Sequence, residues 1–256
     1  MTGRAPFDFF GCSDIGQRRK LNEDTMLIDD RLGLFIVADG MGGHAAGEVA
    51  SAESVEAILS MFNNDKALLD RIRASEAPPD KDLHKASRLI ESSIQFACYH
   101  VRGLAEVDSA KEGMGTTISA LVLAGHVGFT GQVGDSRVYY VRGDKALQLT
   151  EDHTLVNWQL KEGLITPEQA RKAKNRNVIT RAVGSRDYVQ VDIQSFPVQQ
   201  GDMFMLCSDG LHEYVELDEI PQIMEKEPEL ACMHFVRLAN DRGGKDNVTC
   251  IAVRLN

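Results

Sequence analysis

A chain of 256 residues with 43% hydrophobic and 26% charged content has the material for a sizeable buried core. Its net charge of −10 sets it against nucleic-acid backbones, and no run of about 18 apolar residues offers a membrane span. The opening MTGRAPFDFF lacks the apolar stretch of a signal peptide, which predicts a cytoplasmic protein, and five cysteines without a C-x-x-C spacing read as small buried hydrophobes in a reducing compartment.

Residues 7–14 predict a short strand, residues 16–24 a polar connection dense in charge, and Thr25–Ile28 a second strand-like run. Within the connection Arg19 and Glu23 stand four apart. They read either as a solvated surface pair or as a phosphate fork and a metal acid held at a sheet edge.

The stretch LGLFIVADGMGGHAAGEVAS, residues 32–51, is the one around which the rest of the chain is organised. An apolar run from Leu34 to Val37 ends at Asp39 and passes through Gly40, Gly42 and Gly43 toward a helix-forming segment. A carboxylate at the tip of a buried strand is costly to desolvate unless a cation meets it, and glycines let the backbone approach that partner. Gly40-Met41-Gly42-Gly43-His44-Ala45 also fits the dinucleotide pattern G-x-G-x-x-G/A. Against that reading, Asp39 would face a pyrophosphate, and Met61-Phe62-Asn63-Asn64 is no second strand ending in an acid.

A three- and four-residue period predicts a helix from Ala45 to about Asn63, and another from about Lys81 to Glu106 after the break Glu76–Asp80. The segments 115–124, 126–135, 137–142 and 146–150 read as strands joined by short turns, which predicts an antiparallel meander. Residues 151–185 are polar, with a helix expected over 152–163 and a second opened by Thr166-Pro167-Glu168-Gln169. Arg171, Lys172, Lys174, Arg176, Arg181 and Arg186 gather here, as a solvated face or as a flap that meets an anionic substrate. Beyond them strands are expected over 188–196, 203–210 and 248–255, with a helix around 217–241.

Asp209 in CSDG and Asp246 in GGKDN repeat the arrangement at Asp39, and Glu23 and Asp135 are auxiliaries. Four to five carboxylates without a matching His or Cys set suit hard divalent ions such as Mg2+ or Mn2+. A pair of such ions sharing an acid clamps phosphoryl oxygens and acidifies a water between them. The reaction class suited to such a pair is phosphate-ester hydrolysis.

The motifs SDIGQRRKLNED, VADGMGGHAAGEVAS, GMGTTISALVL, GQVGDSRVYY, TEDHTLV, NVITRAVGS, CSDGL and GGKDNVTCIAV resemble those of the metal-dependent protein serine/threonine phosphatases, the PPM or type 2C family, in its bacterial form. They run in the family's order over nearly the whole chain. The resemblance implies an α+β fold, a sandwich of two antiparallel β-sheets flanked by helices, as a single domain over 1–256 with a small helical flap at about 151–185.

Carried over residue by residue, the resemblance makes Asp39 the bridge between two metals, with the Gly40 carbonyl on one ion and Asp209 and Asp246 on the other. Glu23 holds the Gly40-side ion directly or through water, Asp135 with Asp209 supports a third metal, and Arg19 grips the phosphate while a metal-bridging hydroxide attacks phosphorus in line. His44 is the candidate general acid, because Met41 stands where some eukaryotic members place a histidine. Glu213 stands where many relatives have an aspartate. The implied partners are phosphoproteins, a Ser/Thr kinase and its targets, acted on by a monomer with no nucleic-acid or membrane partner. Two other functions compete, a non-catalytic phosphoprotein sensor and a metal-dependent phosphodiesterase or nuclease. The presence of Asp39, Asp209 and Asp246 weighs against the first, and the acidity and single tryptophan against the second.

Overall fold

The computed structural model describes residues 6–42 and 46–256. β1 (Phe7–Asp14), β2 (Asp24–Asp29) and β3 (Leu34–Met41) open the chain. Three helices come next, α1 (Gly47–Asn64), α2 (Lys66–Arg73) and α3 (Asp80–Val107). The central strands are β4 (Gly115–Thr116), β5 (Ile118–Ala124), β6 (Val127–Val133), β7 (Arg137–Arg142) and β8 (Lys145–Gln148). Beyond the short α4 (Leu155–Lys161) and α5 (Pro167–Lys172) come β9 (Asp192–Pro197) and β10 (Met203–Cys207). The chain closes with α6 (Asp209–His212), α7 (Ile220–Met224), α8 (Pro228–Asp241) and β11 (Val248–Leu255).

The strands form two antiparallel sheets, one in the order β1-β11-β10-β7-β8 and the other β2-β3-β5-β6-β9 with β4 paired to β3. Period-two patterning decides how they stack. Phe35 and Val37 of β3 and Leu121 and Leu123 of β5 point inward against Phe204, Leu206, Ile251 and Val253, all buried. The alternate residues Leu34, Ile36, Ala120 and Val122 face outward and are covered by α1, α2 and α3. On the opposite side Met205, Cys207, Cys250 and Ala252 are covered by α7 and α8. The architecture is the expected αββα sandwich, and each fully buried Ile, Leu or Phe contributes about 1.5–3 kcal/mol.

Several boundaries differ from the sequence expectation. The helix expected over 217–241 is two, because Pro228 has no N–H to continue α7 and instead opens α8 at its first turn. The helix expected from 152 starts at Leu155: Thr154 caps it by accepting from the Asn157 N–H at 3.2 Å, while Asp152 forms a two-point pair with Arg137. The capping box at Thr166 and Gln169 is present as predicted. The four central strands do not form one meander, since β6 and β7 lie in different sheets. The chain changes sheet at Gly134-Asp135-Ser136, where Gly134 has φ +99° and a Cβ would stand 2.5 Å from Thr117 Cγ2. The strand expected to run to 210 stops at Cys207, so Asp209 begins a helical turn.

Candidate metal centre

Strand register puts the first two acids together. Asp24 and Asp39 are directly opposed in the β2–β3 ladder, where like charges repel. The Asp39 backbone is fixed from β4 and the residue after it. Its N–H donates to Thr117 Oγ1 at 2.9 Å, and its carbonyl accepts from the Thr117 N–H and the Thr116 hydroxyl, each at 2.9 Å. Asp24 in turn accepts from the Ser208 hydroxyl at 2.8 Å, and that oxygen accepts from the Thr249 N–H at 3.0 Å. Acids on one sheet are thereby tied to the ends of β10 and β11 in the other.

Neighbouring strands β10 and β11 bring Asp209 and Asp246 to the same end of the sandwich. Gly210 makes the approach possible, since a Cβ there would lie 2.0 Å from the Asn247 carbonyl oxygen and 3.3 Å from Asp246 Cβ. Asp135 at the sheet-changing turn is buried, and it lines a cleft of about 300 Å³ with Asp209, His212, Glu213, Asp152 and Arg176. An adjoining cleft of about 340 Å³ contains Asp209, Asp246, Glu213, Lys174, Arg176 and Lys245. Both are lined by Asp209, Glu213 and Arg176.

Burial and mutual repulsion act on this group together. Desolvation, followed by repulsion from Asp24, Asp209, Asp135 and Asp246, drives the Asp39 carboxyl well above the usual range. Burial and then Asp135 and Asp246 push Asp209 up to about 8. Burial is the largest cause for Asp135, at about 7, and for Asp24, at about 6. These acids cannot all be ionised together without positive charge among them. An all-oxygen donor set so crowded with carboxylates fits hard divalent ions that retain part of their water.

Arg19 and Glu23 sit on the loop between β1 and β2, which Asn247 holds in place. The buried Asn247 amide donates to the carbonyls of Ile15 and Leu21, each at 3.0 Å, and its Oδ1 accepts from the Glu23 N–H at 2.9 Å. Arg19 then reaches Asp246 Oδ2 at 2.6 Å and Glu23 Oε2 at 3.7 Å. Burial raises the Glu23 carboxyl above its ordinary value. Gly40 lies under this loop in a position that admits no side chain: a Cβ would stand 2.1 Å from the Gly47 carbonyl oxygen and 2.5 Å from that of Glu23.

The 151–185 segment is latched at its base. Thr154 and Ile179 form a bridge, and Thr116 exchanges backbone hydrogen bonds with Val183 at 3.0 and 2.9 Å. His153 accepts at Nδ1 from the Gly134 N–H at 3.1 Å, and burial lowers its pKa. The basic cluster divides. Arg171 and Lys172 are exposed on α5 and Arg181 pairs with Asp192 at 2.7 Å, whereas Lys174 and Arg176 line the cleft. Arg176 reaches Glu213 at 3.1 Å.

Of the sequence candidates, Arg19, Glu23, Asp39, Gly40, Asp135, Asp209 and Asp246 converge on this end of the sandwich. His44 lies outside the described residues. Sequence reasoning passed over Asp24 as a site acid, and it passed over Asn247, Ser208, Thr116 and Thr117 as positioning residues. Asp24 carries one readable signal, its place at the head of the strand that pairs with the run ending in Asp39.

Residues 16–233 match the family profile of protein phosphatase 2C. The chain is 33% identical over 250 residues to the protein phosphatase PhpP of Streptococcus pneumoniae, covering 95% of this chain and 96% of that one. The serine/threonine phosphatase PstP/Ppp of Mycobacterium tuberculosis superposes with a TM-score of 0.85 at 31% identity, over 98% of this chain and 99% of the other. A structure of the PstP catalytic domain in complex with two manganese ions gives a TM-score of 0.81 at 30% identity, over 97% and 98% of the two chains.

Proposed function

The chain belongs to the protein phosphatase 2C family and is a metal-dependent serine/threonine protein phosphatase, and from that premise we propose how its residues divide the work. Asp39, Asp209 and Asp246, with the Gly40 carbonyl, hold two divalent ions, Mn2+ or Mg2+. Glu23 and Asp24 complete the β2 side, and Asp135 offers a place for a third ion. The observation that carries this reading is the group of acids from both sheets whose carboxyls are raised by burial and by one another. Bound ions supply positive charge against the phosphoryl oxygens and make a nearby water more acidic.

The chain's own contribution is placement. Thr116 and Thr117 fix the Asp39 backbone, so the carboxylate starts from a set point on the strand although its neighbours repel it. Arg19, on a side chain 45% exposed at the cleft mouth, offers N–H donors to the phosphate of an incoming phosphoserine or phosphothreonine. Lys174, Arg176 and Lys245 give the neighbouring cleft a cationic wall, suited to acidic flanking residues of a phosphoprotein. Residues 151–185 thus serve as a substrate-facing flap, in a cytoplasmic monomer that opposes a Ser/Thr kinase.

Hydrolysis of a phosphothreonine peptide and of p-nitrophenyl phosphate with Mn2+, Mg2+ or EDTA tests this reading. Turnover that requires a divalent ion, together with calorimetric binding of two or more Mn2+ ions that Asp39→Asn weakens, supports it. Undiminished metal binding in Asp39→Asn would remove Asp39 from its proposed place.

A further inference from the structure

Cys12, Cys232 and Cys250 form a cluster of thiols that phosphate hydrolysis does not use. Cys12 and Cys250 are paired across β1 and β11, so their side chains leave the sheet on the same face, and α8 lays Cys232 over them. All three are free, and their Sγ atoms lie within 4.8 Å of one another, with Cys232 and Cys250 only 3.3 Å apart. Cys232 and Cys250 are fully buried. Cys12 is half-buried on the edge strand of its sheet, which gives the group an entrance. Residues 12, 232 and 250 share no local spacing, so only the tertiary fold brings their sulfurs into one cluster.

The chemistry of the three sulfurs is unequal. Thiol hydrogen bonds, from Cys232 first and Cys250 second, hold the Cys12 sulfur well below the usual thiol range, and the same contacts push Cys232 and Cys250 above it. Thiolate is the form that binds metal, and of the three sulfurs Cys12 gives up its proton most readily. A disulfide would consume two of the three and leave the third unused. Zinc closes its structural sites with four ligands and iron–sulfur clusters take four cysteines, while the described residues place three sulfurs here. A trigonal centre with metal–sulfur bonds of about 2.3 Å spaces its sulfurs about 4 Å apart, within the span observed. Sulfur donors select soft ions, copper(I) among them.

We propose that Cys12, Cys232 and Cys250 form a three-sulfur binding site for a soft cation of the copper(I) class. Three sulfur–metal bonds form as the bicinchoninate ligands leave the ion, the protons carried by the thiols pass to solvent, and no electron changes hands because the ion enters as copper(I). The site is chemically separate from the carboxylate centre, whose oxygen donors favour hard ions. Occupation joins the edge strand β1 to β11 and α8, so it stabilises the folded chain against heat.

The test uses the full chain, fully reduced, under anaerobic conditions with saturating Mg2+ at the acid site. Copper(I) is supplied from its bicinchoninate complex. The proposal expects the chain to take one equivalent from that chelator, to melt at a higher temperature when loaded, and to lose affinity as pH falls and protons compete. Cys12→Ser, at the half-buried position, should lower the affinity at least tenfold while keeping Mg2+-dependent turnover, and Cys98→Ser, remote from the cluster, should bind as the parent does. X-ray absorption should report three sulfur neighbours. No uptake by the parent chain, equal uptake by Cys12→Ser, or a copper shell with two sulfurs would each overturn the proposal.

Discussion

The guanidinium of Arg19 donates to Asp246 Oδ2 at 2.6 Å, so the residue proposed to grip phosphate and an acid proposed to hold a cation meet directly. That contact, more than any other, raises the Arg19 pKa and keeps it charged. A cation held by Asp246 would compete for that carboxylate and would free the guanidinium for substrate. Arg19→Ala removes a charge-assisted donor worth about 1.5–3 kcal/mol, which corresponds to an increase in KM for a phosphothreonine peptide of roughly 10- to 150-fold. Steady-state kinetics decide the point, since a fall in kcat at unchanged KM would place Arg19 in transition-state stabilisation instead.

Asp39→Asn is expected to reduce turnover by a factor of about 1,000 or more, consistent with loss of charge at the centre of the site. It should not unfold the protein. Asp39 is repelled by Asp24, Asp209, Asp135 and Asp246, so the amide relieves a strain while keeping the shape. With EDTA present, the variant should melt at or above the temperature of the parent. A much lower melting temperature would mean that Asp39 supports the fold.

The same raised carboxyls predict how the chelated protein responds to pH. A carboxyl whose pKa is higher folded than unfolded binds more protons in the native state, so stability is present at low pH and is lost as pH rises through the folded value. The unfolded values lie near 4, and Asp24, Asp135 and Asp209 reach about 6, 7 and 8 when folded. In EDTA the melting temperature should therefore fall between pH 6 and pH 8, with each proton lost over a full pH unit costing about 1.4 kcal/mol. Saturating Mg2+ should flatten the dependence. A chelated protein that melts higher at pH 8 than at pH 6 would contradict the charge crowding described.

Much of this candidate site was legible in the sequence, because Asp39, Asp209 and Asp246 each stand where an apolar run meets glycine or asparagine, a local pattern. The support beneath them was not. Asn247 works through the carbonyls of Ile15 and Leu21, more than 220 positions away in sequence, and Ser208 works through Asp24. Such contacts depend on which strands become neighbours, and periodicity does not specify that. The sheet change at Gly134 was missed for the same reason, since a three-residue turn reads alike within one sheet or between two. The split of α7 from α8 was readable from Pro228, whose missing N–H stops one helix and suits the start of the next.

Arg176 tests whether the flap serves substrate choice. Its pair with Glu213 at 3.1 Å is half-exposed on the arginine side, so the contact itself contributes less than about 1 kcal/mol. Arg176→Ala should lower kcat/KM for a phosphothreonine peptide about two- to fivefold through loss of flap position and of cleft charge. Turnover of p-nitrophenyl phosphate, which has no flanking residues to meet the flap, should stay within error. Equal losses on both substrates would assign Arg176 to the metal centre through Glu213 rather than to peptide recognition.

Asn247 is the strongest test of the idea that loop placement, as well as ligand identity, limits the reaction. Its side chain is buried and makes three hydrogen bonds to the loop bearing Arg19 and Glu23. Asn247→Ala strands two carbonyls and an N–H, at a cost of about 2–4 kcal/mol, and lets the loop drift from Asp246. Asn247→Asp keeps an acceptor for the Glu23 N–H but turns a carboxylate oxygen toward the Ile15 and Leu21 carbonyls, in a region already crowded with acids. It should therefore be no more active than the alanine variant despite its closer shape. With Asp39, Asp209 and Asp246 untouched, calorimetry on both variants should find Mn2+ binding weakened less than by Asp39→Asn, while KM for phosphopeptide rises as it does in Arg19→Ala. If Asn247→Asp instead retains parental KM, the amide donors are dispensable and the loop is held by the Gln17 and Gly244 backbone contact.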